Sequence, residues 1–180
     1  MSAFPDRSIP PPDNAPAGVK EWIDGTNSSA AIHLAELRRE TARHRRIAWT
    51  PSLTFATPGD LSLGSYSIRW GEAIFDDREL YVVGAVTVTP TFTTASGALE
   101  ITGLPRASAN IAGQIWAAGS LEFQNVTKAG YTQFTPQVGA GTSFILFGAS
   151  GSGKSLDFIN AADITSGVAT LLRFSVRYRW

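Results

Sequence analysis

The sequence predicts a mostly β protein, a sandwich or a barrel, preceded by an extended arm and one short helix. Residues 172–180 alternate apolar and polar side chains at every position, which is the two-residue period of a half-buried strand. Glycine is frequent, and charged residues make up only 17% of the chain, a bias that favours turns and pleated surfaces. From Trp49 onward, short β-rich segments alternate with turns.

Composition excludes several classes of function. The formal net charge is zero, which argues against a nucleic-acid partner because such binding needs clustered lysine and arginine. The chain has no cysteine, so neither a disulfide framework nor a thiolate metal site is expected. The first residues lack the apolar core of a signal peptide, and no stretch reaches the roughly 20 apolar residues of a membrane helix. The sequence therefore predicts synthesis in a cytoplasm and no membrane insertion.

Residues 1–25 are predicted to form an extended arm. Three consecutive prolines at residues 10–12 and a fourth at Pro16 can neither continue a helix nor donate ladder hydrogen bonds. An isolated arm buries too little surface to offset its ordering entropy, so we expect a partner to hold it. Its candidate anchors are Phe4, Ile9, Trp22 and Ile23.

The second segment, residues 26–47, contains a predicted helix at residues 28–46. A serine can cap its start, its interior holds good helix formers, and arginines crowd its last turn, where cations complement the helix dipole. Five residues recur at alternating four- and three-residue spacing: Ala30, Leu34, Leu37, Thr41 and His44. This seam spans about two heptads, too short to hold helices together alone. It predicts either a coiled-coil stem or a helix that packs on its own domain.

The remaining residues, 48–180, are predicted to be strands and turns only. Proline at position 90 should interrupt one long strand or place it at a sheet edge. The predicted strands cover residues 52–55, 64–70, 79–93, 98–102, 111–123, 131–137, 143–147 and 169–180.

One segment matches the nucleotide-binding P-loop pattern: GASGSGKS at residues 148–155, with Gly148, Gly153, Lys154 and Ser155 at the key positions. In a P-loop, backbone amides cradle phosphate, the lysine reaches the terminal phosphates and the serine binds magnesium. A helix must begin at the lysine, yet the residues that follow are β-branched, aromatic and turn-forming. We therefore interpret the match as chance and predict no cofactor, no metal and no catalytic residues.

Three sequence motifs, in this order, resemble a β-domain of tailed-bacteriophage fibres, spikes and appendages: WTPSLTF at residues 49–55, GSYSIRWG at residues 64–71 and ITGLP at residues 101–105. The resemblance covers about residues 49–180. It implies a jelly-roll-like β-sandwich that associates as a trimer, in which the glycine- and serine-rich loop is structural. Symmetric neighbours would then cover the unpaired edges of a sandwich.

The resemblance implies a structural virion protein, a short trimeric fibre or spike that is not an enzyme. Its arm would attach to a portal, neck, tail or capsid protein, and loops of its β-head would contact a host-surface glycan or protein. Three alternatives stay open: a capsid decoration protein, a nucleotide-dependent enzyme using Lys154 and Ser155, and a non-viral carbohydrate-binding module.

Overall fold

The computed structural model describes residues 30–36, 45–116 and 118–180. Two groups of predicted site residues lie outside this part of the chain. They are the arm anchors Phe4, Ile9, Trp22 and Ile23, and the seam residues Leu37, Thr41 and His44.

Residues 30–36 are helical, as predicted, and include Ala30 and Leu34 of the seam. The predicted end of the helix, however, is wrong. Arg46 does not close a helix but begins a strand, because Arg46–Trp49 pairs antiparallel with residues 71–74. The arginine-rich sequence is typical of a helix C-terminus, but pairing with a neighbouring strand outweighs this local preference.

The β-rich unit, His44–Trp180, contains eleven strands among its described residues. They are β1 (Arg46–Trp49), β2 (Ser52–Thr57), β3 (Tyr66–Asp76), β4 (Glu79–Val88), β5 (Ser96–Thr102), β6 (Ile115–Trp116), β7 (Ala118–Gln124), β8 (Gln133–Gly139), β9 (Ile145–Ser150), β10 (Asp157–Phe158) and β11 (Thr170–Arg179).

The strands form two antiparallel sheets packed as a sandwich. The five-stranded sheet has the order β1-β3-β4-β11-β7, and the six-stranded sheet has the order β2-β5-β9-β8-β6, with β10 paired to β9. Among the described strands, the chain crosses between the sheets six times, from β1 to β2, from β2 to β3, from β4 to β5, from β6 to β7, from β7 to β8 and from β10 to β11. These crossings place β4 and β11 side by side in one sheet, and β5, β9 and β8 side by side in the other, which is a jelly-roll-like arrangement. The predicted all-β sandwich is confirmed.

The core lies between the two sheets, and the alternation of buried and exposed residues is most regular on β11. On β11, Leu172, Phe174, Val176 and Tyr178 are buried, while the arginines between them face outward. β4 pairs with β11 over ten residues and buries its own alternate set of side chains. The sequence periods of both strands are thus confirmed, and β4 ends at Val88, before Pro90.

A pair of glycines opens space on the inner face of the five-stranded sheet. Gly71 of β3 lies opposite Gly84 of β4, and the Trp49 indole packs above Gly71, where a Cβ would lie 2.4 Å from its Nε1. The Trp49 Nε1–H donates to the Val83 carbonyl (3.3 Å). The ring of Phe174 lies 6.2 Å from the Trp49 ring. Trp49 therefore ties the edge strand β1 to the centre of the core.

One predicted strand is divided in the structure. Residues 111–123 were predicted as a single strand, but residues 111–114 form a turn, β6 joins the six-stranded sheet and β7 joins the five-stranded sheet. The chain crosses from one sheet to the other within a continuous β-rich sequence, so local composition does not mark the boundary.

Candidate functional site

The P-loop-like segment lies in a β-hairpin. Residues 148–150 end β9, residues 151–156 form the loop, and β10 follows directly, with Phe158 paired to Gly148. The Lys154 amide donates to the Gly151 carbonyl (3.2 Å), and no helix begins at Lys154. The backbone geometry therefore differs from that of a phosphate-binding loop, which leads into a helix N-terminus.

Close packing explains the glycines of this hairpin. A Cβ on Gly148 would lie 2.2 Å from Nε2 of Gln137, and a Cβ on Gly151 would lie 2.5 Å from the Gly130 carbonyl oxygen. Gly153 has a φ of 68°, a left-handed conformation that favours glycine in a tight turn. Each glycine of the P-loop pattern thus has a structural role in the sandwich.

A nearly buried ammonium group holds three segments together beside this hairpin. Lys128 follows β7, and its side chain is only 9% exposed. Its Nζ lies 2.9 Å from Asp163 Oδ2 and 3.0 Å from Asp157 Oδ2. Burial by itself lowers the pKa of Lys128. The hydrogen bonds and charges of the two carboxylates raise that pKa by a larger amount, so the net shift is upward. The hydrogen bond from Lys128 lowers the pKa of Asp157. The three groups therefore form a charged structural clamp.

An exposed carboxylate forms a second clamp on a different pair of loops. Asp60, in the loop after β2, accepts hydrogen bonds from the Thr93 and Thr94 amides at 2.8–3.0 Å and from both threonine hydroxyls. These bonds, led by that from the Thr93 hydroxyl, hold the pKa of Asp60 well below its usual range. Both oxygens of the carboxylate are thus used to join two loops.

The outer face of the five-stranded sheet carries three ion pairs and one exposed tryptophan. Three ion pairs cross between neighbouring strands: Arg46 with Glu72 (3.1 Å), Arg177 with Glu79 (3.6 Å) and Arg173 with Glu122 (3.0 Å). Trp70 lies on the same face, in the middle of β3, and is 51% exposed. A half-exposed indole on a regular strand is a feature that binding surfaces share.

A shallow, open depression of about 440 Å³ lies beside Trp70. We call it the Trp70 depression. The strand order places its lining residues from β3 and β4, which include Trp70, Tyr81 and Val83, on one side, and those from β11 and β7 on the other. On that other side, Ser120 and Ser175 share a hydroxyl hydrogen bond (3.1 Å), and Arg173 contacts both carboxylate oxygens of Glu122. The described residues offer here an apolar wall facing a polar one.

Sequence reasoning singled out none of the three groups just described as a site. Trp70 belongs to the GSYSIRWG motif. The sequence feature that could have drawn attention to it is its position immediately before Gly71. Lys128, Asp157 and Asp163 lie up to 35 residues apart, and nothing in the sequence indicates that they meet. Among the described residues, no cluster of histidine, aspartate and glutamate could hold a metal ion. Those residues also include no helix long and apolar enough to span a membrane.

This arrangement of two antiparallel sheets occurs in phage tailspikes. The chain is similar to the solved structure of the Dettilon tailspike protein (gp208), with a TM-score of 0.54 and 17% sequence identity. The match covers 73% of this chain but only 23% of the tailspike, so it spans less than a quarter of that protein. The predicted resemblance to phage fibre and spike domains is confirmed for the fold.

Sequence comparison adds nothing to this match. No protein-family model and no curated protein matches the chain.

Proposed function

We propose that this chain is a structural protein of a tailed-bacteriophage virion, of the spike or short-fibre type. The observation that carries the proposal is the fold of residues 45–180, a jelly-roll-like sandwich similar to part of a phage tailspike. The order of the WTPSLTF, GSYSIRWG and ITGLP motifs supports it independently. In this proposal the protein is not an enzyme, and its place of action is the virion after synthesis in the host cytoplasm.

The proposed protein has three parts. Residues 1–25 attach it to a neck, tail or capsid protein through Phe4, Ile9, Trp22 and Ile23, residues 26–47 form a trimeric stem, and residues 48–180 form the head. All seven described helix residues are exposed, Leu34 among them at 56%, so the seam face is open to a neighbouring helix. An exposed leucine at a seam position is what a neighbouring helix would cover.

The mass of the purified chain in solution tests the trimer. We expect a species of three times the 19.2 kDa chain mass, measured by light scattering. Leu34→Asp should weaken this species, so that monomer appears on dilution at concentrations where the wild type stays trimeric, because an aspartate in a three-helix seam would be buried without a partner. Ile32→Asp is the matched control: Ile32 is also exposed, but two residues away it lies on another face of the helix. A monomeric wild-type chain would contradict the trimer.

Removal of residues 1–25 tests the role of the arm. We expect a folded, trimeric head that no longer joins the particle, because the truncation leaves the stem and the sandwich intact. Incorporation is measured by immunoblot of purified particles. A truncated chain that still incorporates would contradict the attachment role. Location at the tail or neck rather than on the capsid surface, seen by immunogold labelling, separates the spike from a capsid decoration protein.

A further inference from the structure

The Trp70 indole has an open face. It lies near the middle of β3, paired with Ala85 of β4 and next to the end of the β1 pairing, and it is 51% exposed. Among the described residues, no aromatic ring or cation stacks on it. The protein therefore keeps a large apolar surface in water on a rigid element. By contrast, the exposed Trp180 ring contacts Phe75 (5.7 Å) and Arg106 (5.3 Å). Trp70 is thus the aromatic on this face that is available to a ligand.

The surroundings of Trp70 indicate the chemistry of that ligand. The depression joins the indole and the Tyr81 ring to a row of hydroxyl and charged groups from Ser120, Ser175 and Arg173. A ligand that fits must have an apolar face for the ring and polar groups at its edge. A sugar ring has both, since its C–H groups form one face and its hydroxyls lie around the rim.

The charge of the depression argues against an anionic ligand. Arg173 is the cation that lines it, and its NH1 contacts both oxygens of Glu122 at 3.0 and 3.1 Å. The pair has no net charge, whereas phosphate sites present unpaired cations or free amides. The hydroxyl pair of Ser120 and Ser175 is neutral too. The depression therefore suits a neutral ligand.

A second copy of this chain fits the depression less well. The cores of subunit interfaces are apolar and depleted in charge. Here the charged side chains of Arg173 and Glu122 stand at the depression, each at least half exposed. The ladder pairing of β3, β4, β11 and β7 fixes the backbone of every wall, as a pre-formed small-ligand site requires.

We propose that the Trp70 depression binds a neutral saccharide, with one hexose ring stacked on the Trp70 indole and its hydroxyls bonded to the Ser120, Ser175 and Arg173 side. The site lies on the face of the five-stranded sheet, not on the loops. This inference goes beyond the proposed function, because it assigns the head a ligand class and a place where that ligand binds.

The test uses the full-length chain and an array of neutral hexose and N-acetylhexosamine oligosaccharides. The oligomer that binds most tightly is then titrated by calorimetry. Trp70→Ala should weaken binding by about tenfold or more, whereas Trp70→Phe, which keeps an aromatic face, should weaken it by only about threefold. Ser120→Ala should weaken binding by about as much as Trp70→Phe, and by less than Trp70→Ala. Leu156→Ala is the matched control, since Leu156 is 58% exposed but distant from the depression, and should leave binding unchanged.

Three results would overturn the proposal. The first is that the wild-type chain binds no member of the array. The second is that the Trp70→Ala variant binds as tightly as the wild type. The third is that the oligomer of the Trp70→Ala variant dissociates, which would identify the face as a subunit contact. Circular dichroism of each variant confirms that it is folded. Saccharide binding is measured independently of particle incorporation, so either proposal can fail while the other stands.

Discussion

Trp49 and Trp70 lie on opposite faces of the same sheet. Trp49 is 8% exposed and packs on the inner face over Gly71, whereas Trp70, the residue before Gly71, is 51% exposed on the outer face. The inner indole has a hydrogen bond to Val83 and a neighbouring Phe174 ring. The comparison shows that one residue type stabilises the fold at one position and leaves a surface free for binding at the other.

The largest expected effect is at the inner tryptophan. Trp49→Ala should lower the free energy of unfolding by about 3–5 kcal/mol, because it leaves a cavity between β1 and the centre of the core. Urea denaturation followed by circular dichroism measures it. Trp70→Ala is the matched control and should change stability by less than about 0.5 kcal/mol. Equal losses in the two variants would contradict the contrast between the faces.

The same contrast between inside and outside applies to ion pairs. Lys128→Ala should cost about 3 kcal/mol, because it leaves the Asp163 carboxylate, whose side chain is 13% exposed, without its cation. Arg173→Ala removes the exposed pair with Glu122 and should cost less than about 1 kcal/mol. Thermal unfolding of both variants at pH 7 provides the measurement. A loss for Arg173→Ala as large as that for Lys128→Ala would show that burial does not set the difference.

A smaller loss is expected where a methyl group is added. Gly84→Ala should cost about 1–3 kcal/mol, because its Cβ would meet the Phe174 ring at 2.9 Å in a packed core. Gly139→Ala is the control: its nearest contact is the Thr142 methyl at 3.3 Å, and both residues are only partly buried, so Thr142 has room to shift. We expect the urea concentration at the denaturation midpoint to be highest for the wild type, lower for Gly139→Ala and lowest for Gly84→Ala. A lower midpoint for Gly139→Ala than for Gly84→Ala would contradict the packing argument.

The smallest effect is expected at the exposed clamp, and it depends on pH. The pKa of Asp60 is lower in the folded state than its ordinary value near 3.8, so its contribution is complete above that pH and is lost as pH falls through the folded value. Asp60→Asn should therefore be less stable than the wild type at pH 7, and the difference should shrink below about pH 4. Urea midpoints across this range measure it. A difference that stays constant with pH would assign the effect to shape rather than charge.

Periodicity in the sequence predicted the central strands. β11 alternates in burial at every residue, and a strand buried on one face can satisfy that pattern in only one way. β4 keeps the same period except at residues 84–86, which are all buried. β1 was missed because the arginines before it and its first residue, Arg46, resemble a helix end, and only pairing with β3 decides its conformation. The three-membered clamp of Lys128, Asp157 and Asp163 was missed for a related reason: its members meet only after two sheets have formed.

The position of β11 in the five-stranded sheet affects how the chain folds during synthesis. β11 is the last described strand in the sequence, yet it lies between β4 and β7. Until the ribosome has released it, β4 and β7 each present an unpaired edge, and the nascent chain exposes apolar residues such as Val82 and Val86. Translation that stops before Thr170 would leave an aggregation-prone fragment, since contacts this distant in sequence form late.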